Sequence, residues 1–171
     1  MKRITDITGA ELVWQQLSAF KREYVLLADE VPAATLKFDN AFSTLATGQS
    51  ADGCWVFKRM GFWQVQTTIR ECSSQTEVGV FRKNVWKGGG ELQLPFGQIY
   101  QARTNFWQTE YALQTETGML IFQARIGGVF HLSIALQIES TAVRLPYLPW
   151  LVLLGAYQII MMRNDAAAAA A

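Results

Sequence analysis

Leu145-Pro-Tyr-Leu-Pro-Trp-Leu-Val-Leu-Leu-Gly-Ala-Tyr-Gln-Ile-Ile-Met-Met162 is an uncharged, apolar run near the end of the chain. The part from Trp150 to Met162 is apolar on every side, as a helix surrounded by other structure should be. Pro146 and Pro149 lie before it or in its first turn, where a missing amide hydrogen costs little. We therefore predict a central helix over about residues 147–163.

Short segments that alternate apolar and polar residues fill most of the chain before this run. Strand side chains point to opposite faces in turn, so Leu132, Ile134 and Leu136 face one side and their neighbours face the other. Glycine, asparagine and aspartate separate the segments at intervals that suit antiparallel hairpins. Eleven segments have this character: Tyr24–Ala28, Ala34–Phe38, Ser43–Thr47, Cys54–Arg59, Trp63–Glu71, Val78–Lys83, Glu91–Leu94, Gln98–Arg103, Trp107–Thr115, Met119–Ile126 and His131–Ile138.

The number of segments predicts a closed barrel with a helix inside it. About twelve strands, spaced ~4.7 Å apart and tilted by ~40°, close a barrel of roughly 12 Å radius. Side chains alone do not fill that width, whereas one helix of about 10–12 Å diameter fits on the axis. We therefore predict a mainly β fold, a closed antiparallel barrel of about twelve strands that encloses the C-terminal hydrophobic helix. The rival interpretation is a tail anchor over residues 145–162, whose length as a helix, about 27 Å, approaches the ~30 Å hydrocarbon core.

The limits of the domain follow from the flanking residues. Thr8-Gly-Ala-Glu11 has the spacing of a capping box and predicts a short N-terminal helix through about Phe20. One barrel domain is expected over residues 1–165, with strands from about 24 to 140, because 171 residues fit one core. The alanines at 166–171 form a tail outside this domain.

One strand unit occurs twice in the sequence. Residues 53–64 align without gaps on residues 97–108, at an offset of 44, with Gly, Arg and Phe-Trp-Gln at matching positions. Such similarity favours a repeated hairpin. Because adjacent strand residues face opposite sides, we expect one member of each pair, Phe62-Trp63 and Phe106-Trp107, in the core. Base stacking is disfavoured, since a net charge of +1 gives no electrostatic groove for nucleic acid.

The two cysteines are expected to be reduced. A hairpin centred on Met60-Gly61 sets Cys54 opposite Thr67, which leaves Cys72 about 16 Å away at ~3.3 Å per residue. That separation is beyond disulfide reach. The first residues also lack the apolar segment and cleavage signal of a secretory leader. Both features favour a cytoplasmic protein.

The segment Gln98-Ile-Tyr-Gln-Ala-Arg-Thr-Asn-Phe-Trp-Gln-Thr-Glu-Tyr-Ala-Leu-Gln-Thr-Glu-Thr-Gly-Met-Leu-Ile-Phe-Gln-Ala-Arg125, with the strand and apolar run after it, resembles the tubby C-terminal-like superfamily. This superfamily includes the LURP-one-related and phospholipid scramblase-like proteins. The resemblance extends over roughly Tyr24 to Met162 and implies a twelve-stranded barrel threaded by a hydrophobic helix. It also implies a non-enzymatic module that, in some relatives, engages phosphoinositides or membrane surfaces. Calcium, to which scramblase-like relatives are tied, is not predicted because the chain lacks a loop of alternating carboxylates.

A set of basic residues is the candidate site for anionic headgroups. Lys plus Arg number 15 against 14 for Asp plus Glu, so any anion site must be local. Lys58-Arg59 and Arg82-Lys83 each end a strand, and Trp86 beside Lys87 suits an interface between an aromatic ring and headgroups. The candidate residues are Lys58, Arg59, Arg82, Lys83, Trp86, Lys87 and Arg103. The alternative is a solvated barrel face whose charges pair with Glu71, Glu77 and Glu91.

These features predict a non-enzymatic binding module, cytoplasmic and peripheral at a membrane, whose partner is an anionic phospholipid or phosphoinositide. No cofactor, metal site or nucleic-acid partner is predicted. Lys87-Gly-Gly-Gly90 lacks the Lys-Ser or Lys-Thr of a phosphate loop, and His131 has no Gly-x-Ser-x-Gly elbow to complete a triad. Three alternatives stay open: a lipocalin-like carrier of a small apolar ligand, a tail-anchored protein that uses residues 145–162 as its span, and an enzyme without a recognisable motif.

Overall fold

The computed structural model is a closed barrel of twelve antiparallel strands around one C-terminal helix, which confirms the predicted fold class. The structure describes residues 1–7, 9–84 and 88–171. The strands are β1 Leu12–Ser18, β2 Lys21–Ala28, β3 Val31–Phe38, β4 Leu45–Ser50, β5 Gly53–Met60, β6 Gln66–Glu71, β7 Glu77–Lys83, β8 Gly90–Gln93, β9 Ile99–Thr104, β10 Glu110–Thr115, β11 Leu120–Gly127 and β12 Ser133–Ile138. Each strand pairs with its neighbour in sequence, and β1 pairs with β12 to close the barrel.

The helix α1, Leu148–Ala170, fills the lumen that the strands enclose. Its residues from 148 to 161 are buried, except for the half-buried Gln158. At one position a glycine in the barrel wall lets the helix approach the strands closely. A Cβ atom on Gly48 of β4 would lie 2.9 Å from Leu153 Cδ2, so this glycine admits the leucine side chain. The helix also extends to Ala170, so the alanines predicted as a separate tail continue it.

The predicted N-terminal helix is wrong. Leu12–Ser18 is strand β1, and the helical part of this region is a single 3-10 turn, Ile4–Asp6. Thr8, the first residue of the predicted capping box, lies outside the described residues. Leu12 and Trp14 point into the barrel, where burial between β2 and β12 outweighs the local capping signal. The strands therefore begin at residue 12 instead of about 24.

Antiparallel strands alternate in direction, which gives the barrel two distinct ends. We call the end where β1, β3, β5, β7, β9 and β11 terminate the upper end, and the opposite one the lower end. The helix α1 enters at the lower end, after β12. Its last turns reach the upper end, where Arg163 donates hydrogen bonds to the carbonyls of Gly127 and Gly128.

The prediction of reduced cysteines is also wrong, because Cys54 and Cys72 form a disulfide with a Cα–Cα distance of 5.4 Å. The cause is the register of the β5–β6 hairpin. Met60 pairs with Gln66 and Trp55 pairs with Glu71, so the connecting loop is residues 61–65 and not a tight turn at Met60-Gly61. The longer loop moves the partner of Cys54 from Thr67 to Cys72.

We expect the disulfide to stabilise the barrel measurably. The bridged cysteines are 18 residues apart, and closing a loop of this size in the unfolded chain contributes about 3 kcal/mol. Urea unfolding with a reducing agent should therefore give a lower midpoint than unfolding without it. The double variant Cys54→Ser/Cys72→Ser is the control, and its midpoint should not respond to the reductant. Equal midpoints for the oxidised and reduced wild type would contradict this expectation.

Candidate functional site

Charge is segregated between the two ends of the barrel. Among the described residues, the upper half carries ten basic and five acidic side chains, and the lower half carries four basic and nine acidic ones. The upper basic residues are Lys21, Arg22, Lys37, Lys58, Arg59, Arg82, Lys83, Arg103, Arg125 and Arg163. The upper acidic residues are Glu23, Asp39, Glu91, Glu110 and Asp165. A chain that is nearly neutral as a whole therefore has a positive upper end and a negative lower end.

Strand alternation divides the predicted basic set into two groups. Lys58, Arg82 and Arg103 point outward, because each directly follows a buried, inward-facing residue of β5, β7 or β9. Arg59 and Lys83 occupy the inward-facing rows, at the mouth of the barrel. Every one of these five residues lies at the upper end. The two remaining predicted site residues, Trp86 and Lys87, lie outside the described residues.

Arg59 and Lys83 are bound to a residue of the helix. Asp165 accepts hydrogen bonds from Arg59 Nη1 at 2.9 Å and from Lys83 Nζ at 3.1 Å. The predicted ion-pair partners Glu71 and Glu77 do not take part, because both lie at the lower end. These two cations therefore join the helix to β5 and β7, and their charge is partly compensated at the site.

The outward residues keep their charge exposed to solvent or to neutral partners. Arg82 Nη1 donates to Gln93 Oε1 at 3.0 Å, and Glu91 is its cross-strand neighbour. The Gln114 side-chain oxygen, in the orientation that satisfies its neighbours, accepts from Arg103 Nε at 3.1 Å. A cleft of about 780 Å³ on this side of the barrel brings Arg82, Lys83 and Arg103 together with Trp63.

The expected core packing of the two Phe-Trp pairs is wrong. Phe62, Trp63, Phe106 and Trp107 are 85%, 90%, 88% and 78% exposed, respectively. Each pair packs edge to face within itself, with ring centroids 5.4 Å apart in the first pair and 5.1 Å apart in the second. The strands end at Met60 and Thr104, so both pairs lie in loops where strand alternation no longer applies.

Three more exposed phenylalanines lie in the other described loops at the upper end. Phe20 follows β1, Phe42 follows β3 and Phe130 follows β11, and their exposed fractions are 97%, 96% and 92%. We call the seven residues the aromatic rim: Phe20, Phe42, Phe62, Trp63, Phe106, Trp107 and Phe130. All five fully described loops at this end contribute to it. In the described loops at the lower end, the exposed aromatic residue is Phe96.

Hydrogen bonds hold several of the rim loops in place. Arg22 Nη1 donates to the carbonyls of Ser43 at 2.8 Å and Ala41 at 3.1 Å, on either side of Phe42. The Asn105 side-chain oxygen accepts from the backbone amide of Thr109 at 2.9 Å and closes the loop that carries Phe106 and Trp107. Arg163 Nη1 lies 3.2 Å from the carbonyl of Gly128 in the loop of Phe130.

Polar side chains of the helix form hydrogen bonds with residues of the barrel wall. Tyr157 donates to the carbonyl of Thr44, and burial raises its pKa to about 12. Gln158 Nε2 donates to Thr67 Oγ1 at 3.1 Å. The cavity beside Gln158 measures about 30 Å³, the space of one water molecule. The lumen around this part of the helix therefore has no room for a lipid chain or a ligand of similar size.

Sequence reasoning found the outward basic residues of β5, β7 and β9 but missed two groups. Arg125, exposed on β11, and Lys21, at the start of β2, belong to the same positive end. The aromatic rim was also missed. A detectable signal for part of it was present, because Phe42, Phe62 and Phe106 directly adjoin the turn-forming residues Ser43, Gly61 and Asn105.

Comparison of the chain with protein-family models, with curated proteins and with solved structures gave no match. Within the residues that the structure describes, no helix is both long enough and apolar enough to cross a membrane.

Proposed function

We propose that this barrel is a peripheral membrane-binding module whose upper end docks on anionic lipid headgroups. The observation that carries the proposal is the segregation of charge. Counting the described residues, the upper half has a net charge of +5 and the lower half has a net charge of −5. A molecule polarised in this way turns its positive end toward an anionic surface.

The size of the electrostatic attraction makes the binding moderate. Each basic residue near an anionic leaflet contributes about 1 kcal/mol, so a net charge of five corresponds to a binding free energy of about 5 kcal/mol. That free energy matches a dissociation constant of about 0.2 mM in accessible lipid. Because the Debye length is about 8 Å at physiological ionic strength, added salt should weaken the contact strongly.

Other features support the same function. The resemblance to the tubby C-terminal-like superfamily, with its LURP-one-related and scramblase-like members, implies a phosphoinositide or membrane-surface ligand for a barrel of this kind. The cleft that holds Arg82, Lys83 and Arg103 supplies cations on one side of the upper end. The carrier alternative has no comparable support, since the helix occupies the lumen.

The expected cytoplasmic location stays a prediction. The disulfide between Cys54 and Cys72 weighs against it, because stable disulfides are typical of oxidising compartments. An anionic leaflet that faces such a compartment would satisfy both the disulfide and the positive upper end.

Flotation with lipid vesicles tests the proposal. Purified protein should float with vesicles that contain phosphatidylserine or a phosphoinositide and should remain in solution with neutral phosphatidylcholine vesicles. The affinity for the anionic vesicles should fall as salt is raised. Equal flotation with neutral and anionic vesicles, or no flotation with either, would refute the proposal.

Neutralising Asp165 should raise the affinity for anionic vesicles. Asp165→Asn removes a negative charge from the upper end and frees Arg59 and Lys83 from their ion pairs. A change of about 1 kcal/mol corresponds to about fivefold tighter binding. Glu77→Gln is the matched control, because it removes an exposed negative charge at the lower end and should leave the affinity unchanged. A titration with vesicles that shows equal effects for both variants would argue against an end-specific contact.

A further inference from the structure

We propose that the aromatic rim inserts into the interfacial layer of the anionic membrane on which the upper end docks. This inference rests on the proposed function and extends it, since headgroup contacts alone would leave the protein on the surface. The interaction surface is the ring of loop tips around the mouth of the barrel, and its partner is the bilayer interface.

The distribution of the aromatic side chains points to a planar partner. The rim residues are 78% to 97% exposed, and they come from five separate loops at one end. They surround a barrel mouth and do not line one groove into which a peptide or helix would fit. Large exposed apolar patches mark interaction sites; Trp is favoured at the membrane–water interface, and Trp and Phe form the apolar faces of interfacial segments.

Charge complementarity identifies the partner as an anionic bilayer. Exposed basic residues lie close behind the rim: Lys21 follows Phe20 directly in sequence, Lys58 precedes the loop of Phe62 and Trp63, and Arg103 precedes the loop of Phe106 and Trp107. When the aromatic tips are at the depth of the interface, these cations are at the depth of the phosphates. A basic flank next to apolar tips is the arrangement by which interfacial segments bind anionic lipid.

The rim is already organised for insertion in the free protein. Arg22 fixes the loop of Phe42, Asn105 fixes the loop of Phe106 and Trp107, and Arg163 fixes the loop of Phe130. Ordering loops on binding costs free energy, and a surface that is held in its bound shape avoids that cost. Arg163 belongs to α1, so the buried helix also positions part of the rim.

Insertion predicts two results: a component of binding that salt does not remove, and contact between the rim tryptophans and the lipid acyl chains. The probe is a vesicle of phosphatidylserine and phosphatidylcholine whose acyl chains carry bromine, which quenches tryptophan fluorescence on contact. Trp63 and Trp107 should be quenched. The variant Trp63→Phe/Trp107→Phe keeps the aromatic character and should bind equally well with much less quenching.

A loop-tip variant separates insertion from electrostatic attraction. In Phe62→Ser/Trp63→Ser/Phe106→Ser/Trp107→Ser the substituted residues are exposed, so the barrel should keep its melting temperature. Loss of each inserted side chain should weaken binding about tenfold. The variant should still float at low salt and should be released at about 1 M salt, where the Debye length is about 3 Å, whereas the wild type should stay bound. Phe96→Ser, at the lower end, is the control and should behave as the wild type.

The outcomes distinguish the two proposals. If the wild type binds anionic vesicles but is fully released by salt and shows no quenching, the insertion is wrong while the headgroup docking stands. If the loop-tip variant keeps salt-resistant binding, the rim is not the inserting surface. If the wild type does not bind anionic vesicles at all, the proposed function fails and the insertion fails with it.

Discussion

The affinity for anionic vesicles should fall steeply when Lys58, Arg82 and Arg103 are replaced together by glutamate. All three side chains point outward at the upper end, so their replacement leaves the core intact. The triple substitution changes the charge of this end by six units. At about 1 kcal/mol for each unit near the leaflet, the loss is about 6 kcal/mol, which corresponds to more than a 10⁴-fold weaker affinity. Vesicle sedimentation at low salt measures this change directly.

The control is a second triple variant with the same change in net charge. Lys2, Arg70 and Arg144 are exposed basic residues at the lower end. Their replacement by glutamate should leave binding within about twofold of the wild type, because they lie more than one Debye length from a membrane at the upper end. Equal losses in the two triple variants would mean that net charge, and not the end of the barrel, controls binding.

Leu153→Ala should cause a large loss of stability. Leu153 is 0% exposed and packs over Gly48, in the middle of the buried part of α1. Truncation of a buried leucine costs about 2–5 kcal/mol, since apolar contacts are lost and a cavity remains. Urea unfolding followed by tryptophan fluorescence measures the change.

Leu17→Ala provides the matched comparison. Leu17 is 60% exposed on β1, so this substitution should lower the free energy of unfolding by less than about 0.5 kcal/mol. The contrast tests whether the helix is packed inside the barrel in solution. Similar small losses for both variants would indicate that α1 is loosely held or outside the lumen, as the tail-anchor alternative requires.

The architecture was predictable because its signals are local and repeated. Alternation in segments such as His131–Ile138 identifies the strands without knowledge of their partners. The uniform apolar character of residues 150–162 identifies the helix, and the width of a twelve-stranded barrel indicates where it must lie. Strand β1 was not predictable in this way. Gln15 and Gln16 interrupt its apolar pattern, and its burial depends on β12, more than a hundred residues away.

A single loop length explains two of the errors. Residues 61–65 form a five-residue connection where a two-residue turn was expected. The shift in register brings Cys54 opposite Cys72, and it places Trp63, the first residue of the predicted strand Trp63–Glu71, in the loop beside Phe62. Loop length is set by pairing across the whole hairpin, which short-range turn preferences do not determine.

The candidate site was predicted in part for a similar reason. Basic residues at strand ends are visible in the sequence, so Lys58, Arg82 and Arg103 were expected near the barrel loops, and all three lie at the upper end. The pairing of Arg59 with Asp165 joins residues 106 positions apart, and only the threaded helix brings them together. The rim depends on the same global geometry, since closure of the barrel turns the edge that carries the odd-numbered connections into a ring.

The central claim is that the upper end of the barrel faces the membrane. Its most direct test is an environment-sensitive fluorophore attached to Phe106→Cys at the upper end or to Phe96→Cys at the lower end. Both natural cysteines are held in the disulfide, so each variant offers one free thiol. With anionic vesicles, we expect a strong blue shift from the label at position 106 and no shift from the label at position 96. A shift at position 96, or none at position 106 while the protein floats with the vesicles, would contradict this orientation.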